Sequence, residues 1–185
     1  MLRDDLSNKL IHMVRGETVE IAFKKFESIL LESKLRGGTG YIKGGYRCVC
    51  FTETPISKLG YVLASPDVQK MRYRPLGIMV DKKWVFRKGG RPAIYQPNED
   101  FEKLSKDIRY RHVCLELDRP GTPVDLTWER EWRLHADELV LPPEATTVIV
   151  PRRYWRDVLI DTMKPFPWHV IVLEDLGVPI PDGLE

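Results

Sequence analysis

Apolar and polar positions along this chain fall into blocks whose period changes. Leu10 to Val14 is a short apolar run, broken by Gly16, and reads as a strand. Val19, Ala22, Phe23, Phe26, Ile29 and Leu30 then recur at helical spacing. Thr18 stands as the N-cap, and Glu17 and Glu20 sit by the positive end of the helix. The glycines of LRGGTGYIKGG are expected to end that helix in a mobile loop. RCVCFT, residues 47–52, is rich in β-formers, and Pro55 suits the first turn of a following helix capped by Thr54. Further strands are expected over 76–80, 93–96, 112–117, 126–134, 146–150 and 169–173, with helices over 100–106 and 152–159. The tail GVPIPDGLE reads as irregular. Helices come early and strands cluster later, which predicts one α+β domain over residues 1–185 rather than a repeating βαβ pattern.

Composition narrows the class. Hydrophobic content of 43% and charged content of 30% are ordinary for a globular protein. A net charge of +2 gives no whole-molecule field toward nucleic acid or membrane, though a local basic patch stays open. No apolar run reaches the ~20 residues that cross a bilayer, and MLRDDLSNKL lacks the apolar centre of a signal peptide. Cys48, Cys50 and Cys114 cannot all pair, so the expectation is a reduced, cytoplasmic setting without a membrane partner.

The densest candidate chemistry is TWEREWRL, residues 127–134. On a strand, Leu126, Trp128, Arg130, Trp132 and Leu134 share one face, and Thr127, Glu129, Glu131 and Arg133 the other. That sets two carboxylates roughly 7 Å apart. One reading is a solvated face on which Glu131 and Arg133 pair with neighbours. The other is a carboxylate pair on a rigid strand, suited to a cationic sugar transition state. Cys48-x-Cys50 with His112-x-Cys114 lacks CxxC or HxxxH spacing, so no metal is expected. No local signature marks a cysteine nucleophile, and Gly37 to Gly45 lacks the ending of a phosphate-binding loop.

Several segments carry a family resemblance in their order. LIHMVRG with a helix ending in SILLESKL is similar to an opening histidine strand and helix. CVCFTETPIS resembles the strand and turn after a glycine-rich loop. PLGIMVDKKWVFRKGGRPAIYQ resembles a pattern of a Gly-Ile strand, a Lys-Trp pair and a Pro-x-x-Tyr strand. REWRLHADELVLPPEATTVIVP resembles a strand bearing a catalytic glutamate. Over roughly residues 9–151 the chain thus resembles the DarT-like and AbiGi-like branch of the ADP-ribosyltransferase superfamily, found in toxin and phage-defence systems.

The resemblance implies a split β core of two packed, mainly antiparallel sheets with flanking helices. It implies NAD as substrate in the cleft between them, no metal, and a macromolecular acceptor, DNA or RNA in DarT-like relatives. It makes Glu131 the catalytic carboxylate and Glu129 the residue that positions the acceptor. His12 would hold a ribose, where its place between Leu10 and Val14 otherwise reads as a hydrogen-bonded core histidine. Arg15 would contact the diphosphate, as guanidinium groups do well, and is otherwise a surface charge. Thr52 would support the catalytic glutamate, Arg47 matches an arginine ahead of the same strand, and Tyr95 would stack on nicotinamide or serve as a half-buried strand aromatic.

In the glycine-rich loop, Arg36, Tyr41 and Lys43 interleave charge with aromaticity, which suits a single-stranded nucleic acid; a flexible soluble loop is the plain alternative. PRRYWRDVLI could add a second basic contact or a docking face for an antitoxin, a partner implied by family context. The other functional class is a non-catalytic, AbiGi-like antitoxin or partner-binding protein on the same scaffold.

Overall fold

The computed structural model describes residues 7–64 and 72–180; residues 1–6 and the last five of the GVPIPDGLE tail, 181–185, lie outside the described residues. The elements are β1 (Lys9–Arg15), α1 (Val19–Glu32), β2 (Lys34–Arg36), β3 (Cys48–Thr52), α2 (Leu59–Ala64), β4 (Tyr73–Asp81), α3 (Lys82–Arg87), β5 (Arg91–Pro92), β6 (Ile94–Gln96), β7 (His112–Cys114), β8 (Glu131–His135), β9 (Glu138–Val140), β10 (Thr146–Val150), α4 (Arg153–Thr162) and β11 (His169–Val172). The class is α+β.

Seven strands form one sheet in the order β11-β10-β4-β1-β3-β8-β5, antiparallel except for the β10–β11 pair. β2 with β9 and β6 with β7 make two small ladders beside it. The two packed sheets expected above are therefore one sheet, narrowed at its middle. β1 and β3 share a single residue pair, Ile11 with Thr52, whereas β1 pairs with β4 from Lys9 to Arg15.

Alternation sorts the side chains into two cores. On one face Leu10, Val49, Phe51, Ile78, Leu134 and Val148 pack under Phe23, Phe26 and Leu30 of α1 and Leu159 of α4. On the other, Ile11, Met79 and Ile149 meet Leu59, Leu173 and Val178. The α1 pattern is amphipathic because its apolar residues recur every three to four positions. Thr18 caps it, accepting from the Ile21 N–H at 3.3 Å.

Three local expectations fail for identifiable reasons. Helix α1 ends before the glycines, at Ser33 in the left-handed region (φ 50°), because Lys34–Arg36 is drawn into pairing with β9, Leu35 opposite Leu139. The loop after it is anchored, with Gly38 bridging Cys48 and Ile42 buried against Cys48 and Tyr110. Thr54 does not cap the helix that follows; Pro55 leads into a 3₁₀ turn, Ile56–Lys58, with no side-chain cap, which runs on into α2. The strand expected over 126–134 begins only at Glu131. Thr127–Glu129 is a 3₁₀ turn and Arg130 adopts φ 46°, ψ 49°.

Candidate active site

The turn before β8 is held from outside. The Thr52 hydroxyl donates to the Glu129 carbonyl and accepts from the Thr54 N–H at 3.1 Å. The Glu53 N–H bonds the Arg130 carbonyl at 3.2 Å. These contacts turn the chain through a conformation a non-glycine residue rarely adopts. Glu129 and Glu131 therefore do not stand side by side on one strand face.

Glu131 opens β8 and is buried, 8% exposed, as is Arg133 at 4%. Their side chains leave β8 away from the helical core, opposite Trp132 and Leu134, yet that face is covered rather than solvated. Arg133 clamps Glu131 with two bonds, Nε to Oε1 and Nη2 to Oε2, each 2.9 Å. Its remaining Nη1 donates to the carbonyls of Tyr110 and His112 at 2.9 and 2.8 Å. The planar guanidinium fits this forked arrangement where a lysine would not. The Tyr95 hydroxyl accepts from the Glu131 N–H at 2.8 Å, fixing the backbone as well. Tyr95 is thus tied to the acid strand by its hydroxyl.

Glu129 lies in a different environment. Burial first, and then the neighbouring charge of Glu131, push its carboxyl up to about 7, while Arg15, Arg133 and the Tyr73 hydroxyl pull it back. Tyr73 faces Arg15 across the β1–β4 ladder. Arg15 donates to the Tyr73 hydroxyl and its guanidinium stacks 4.3 Å from the Tyr73 ring centroid. The Arg15 charge bears on both Glu129 and His12. Tyr73 had no local signal in the sequence, since its partner is 58 residues away.

His12 bridges the gap between β1 and β3, its Nδ1–H donating to the Cys50 carbonyl at 2.8 Å. A carbonyl only accepts, so the proton sits on Nδ1 and Nε2 keeps its lone pair. Burial and the Arg15 charge hold the ring below its ordinary value, against the raising effect of the Cys50 carbonyl. The neutral form results at neutral pH. His12 shares the α1 face with Leu10 and Val14, so it stands on the opposite face of the sheet from the Glu131 carboxylate.

Two clefts open along this region. One, of about 350 Å³, is lined by His12, Lys25, Ile29, Leu35 and Arg36 among others. The second, of about 530 Å³, is lined by Arg15, Gly16, Ile21, Lys25, Tyr41 and Arg72 with Glu17. Lys25 lines both and donates to the Arg15 carbonyl at 3.0 Å.

The remaining sequence candidates scatter. Arg36 is held by Glu32 at 2.7 Å on the rim of the first cleft. Tyr41 is 85% exposed, with Arg15 5.6 Å from its ring centroid. Lys43 is fastened to Asn98 Oδ1 at 2.8 Å and lies over the Phe101 ring. Arg47 sits at the far end of β3 from Thr52 and pairs with Asp137 at 3.3 Å, so it does not join the cluster. In α4, Trp155 packs on Phe23, and Arg153 pairs with Asp175 at 2.5 Å. Cys48 and Cys50 lie beside Arg133 and Glu131, and burial raises both thiols, that of Cys48 to about 11. His112 Nε2 lies 3.2 Å from the Pro97 carbonyl.

No family model, curated protein or solved structure matches this chain. Among the described residues, no helix is long and apolar enough to cross a membrane.

Proposed function

We propose that this chain is an NAD-dependent ADP-ribosyltransferase that modifies a macromolecule, with DNA or RNA as acceptor, in a toxin–antitoxin or phage-defence setting. The observation that carries the reading is the near-split of the sheet between β1 and β3. There Arg15, Tyr73, Glu129 and Glu131 gather, with two cation-lined clefts alongside. Arg15 lines the second cleft and its charge bears on Glu129, which ties that cleft to the acidic turn. The ordered resemblance over residues 9–151 supports the same reading.

The residues present suit NAD chemically. Arg15 and Lys25 offer positive charge to a diphosphate, beside Arg72, which Glu17 holds at 2.7 Å. Neutral His12 offers Nε2 as an acceptor to a ribose hydroxyl. Cleavage of the bond between nicotinamide and ribose C1′ leaves a cationic sugar, which a preorganised carboxylate stabilises. The acceptor nucleophile then bonds C1′ and must lose a proton. Glu129, held near pH 7 by burial and by Glu131, is matched to accept it. Glu131, locked by Arg133, supplies fixed negative charge at the same turn.

One observation favours the second reading, a non-catalytic binding protein on this scaffold. Both Glu131 oxygens are already engaged by Arg133, as expected of a structural pin. Labelled NAD incubated with separate DNA, RNA and protein pools separates the two. Wild type should label a nucleic-acid pool, and Glu129→Gln should lose that labelling while remaining folded. If folded wild-type protein neither cleaves NAD nor labels any pool, the enzyme reading is wrong and the binding-protein reading stands.

A further inference from the structure

The most cationic stretch of the chain is outside the clefts. Residues 82–91, KKWVFRKGGR, carry five cations and no acid. They form α3 and the strand start after it. Val85 points into the core, and Lys82 is consumed by Glu53 at 2.6 Å. The other four, Lys83, Arg87, Lys88 and Arg91, have no carboxylate partner among the described residues. Lys83, Arg87 and Lys88 are exposed.

Aromatic rings interleave with these charges. Phe86 is 50% exposed, with the Arg91 guanidinium 4.0 Å from its ring centroid. Lys88 lies 5.7 Å from the half-buried Trp84 ring. The basic residues that stood out in the sequence elsewhere are engaged: Arg36 by Glu32, Lys43 by Asn98, Arg47 by Asp137 and Arg153 by Asp175. Exposed lysine and arginine charges without an acid, set beside a solvent-facing ring, suit a polyanion that also presents flat faces.

The patch is wired to the acid strand. Arg91 and Pro92 pair with Arg133 and Trp132 of β8, and the Ala93 N–H bonds the Glu131 carbonyl at 2.8 Å. Glu53 accepts from both Lys82 and the Trp132 indole, joining α3 to β8 by side chains as well.

We infer that α3 and the start of β5 form a docking surface for single-stranded nucleic acid. Lys83, Arg87 and Lys88 track phosphates there, and Phe86, backed by Arg91, which is held by the Phe86 and Gly90 carbonyls, stacks on a base. This surface replaces the glycine-rich loop, whose cations are tied down, as the main polyanion contact. It deepens the reading above by placing the acceptor's approach, yet binding is measurable without NAD.

The test is fluorescence anisotropy of a labelled 20-nucleotide single-stranded DNA and RNA against full-length protein across a salt series. Wild type should bind with strong salt dependence. Arg87→Gln with Lys88→Gln should weaken binding and flatten the log–log salt slope by about 1.4, at ~0.7 per phosphate contact. Phe86→Ala should weaken binding roughly 5- to 150-fold with the slope unchanged. Circular dichroism checks that these surface variants stay folded. Lys24→Gln with Lys58→Gln, an equal charge loss elsewhere, should change binding little. The proposal is overturned if the α3 variants bind as wild type or if the control pair weakens binding equally. It is also overturned if the oligonucleotides fail to bind while phosphatidylserine vesicles do, which would make the patch a membrane contact. Absence of NAD turnover in wild type would refute the reading of the clefts and leave this result standing.

Discussion

Replacing Glu131 by Gln removes the partner of a buried cation. Arg133 and Glu131 are 5% and 10% exposed at the side chain and joined by two 2.9 Å bonds. Removing one member of a buried pair costs ~3–5 kcal/mol, mostly because the other charge stays desolvated. Gln keeps the volume and one carbonyl acceptor, so one Arg133 bond survives. Arg133 also keeps the Tyr110 and His112 carbonyls through Nη1. The loss therefore falls at the lower end, ~3 kcal/mol. With a urea slope of ~2 kcal/mol per molar, the midpoint should drop by about 1.5 M. Glu131→Leu with Arg133→Met, which leaves no unpaired charge, should recover most of that loss. A midpoint within ~0.5 M of wild type for Glu131→Gln would refute the view that this pair anchors β8. The consequence for function is practical: activity lost in Glu131→Gln must be scaled to the folded fraction, whereas Glu129→Gln tests the chemistry more cleanly.

Three further outcomes follow. The Glu129 carboxyl has a folded value near 7 against an ordinary 4.5, so the native state holds a proton that the unfolded chain has released between those values. Its contribution should therefore fall as pH rises from about 4.5 to 7, and urea midpoints should show this decline in wild type relative to Glu129→Gln. His12, lowered on folding, acts in the opposite direction, so the difference between the two proteins is the quantity to read. Tyr95→Phe strips the acceptor from the Glu131 N–H and should cost ~1–3 kcal/mol by urea unfolding; no loss would mean that the N–H finds water. Gly37→Ala would put a Cβ 2.0 Å from the Ala136 carbonyl oxygen, which is backbone and cannot swing away. A loss of at least ~1–3 kcal/mol is expected, read as a melting temperature several degrees lower.

Much of the fold was legible because it is written in local periodicity. The Leu10–Val14 run gives β1, the Val19-to-Leu30 spacing gives α1, and Thr18 caps it where its residue type demands. Strands β3, β4, β10 and β11 follow from β-branched and apolar runs. Of the site, the sequence brought forward Glu129, Glu131, Arg15, His12 and Thr52, and these do lie around the narrow waist of the sheet. Lys43 and Arg47 read as available, because nothing local reveals that Asn98 and Asp137 engage them, whereas the Glu32 that holds Arg36 stands four residues before it.

The sequence by itself determined which residues alternate, which recur helically and how much charge each segment carries. It set Trp132 and Leu134 on the core face of β8 and Glu131 and Arg133 on the other, since a strand has a period of two wherever it lies. Only the tertiary structure decided where that strand begins. Thr52, Glu53 and Thr54 reach the chain about 77 residues later in sequence and hold it in a turn, so Glu129 leaves the face that alternation assigned to it. Burial was decided the same way. The Tyr110 and His112 carbonyls close over Arg133 and turn a face that reads as solvated into a sealed ion pair, while Lys83, Arg87 and Lys88 meet no acid among the described residues and stay open to solvent. Pairing and desolvation depend on what arrives from elsewhere in the chain, and periodicity carries no record of that.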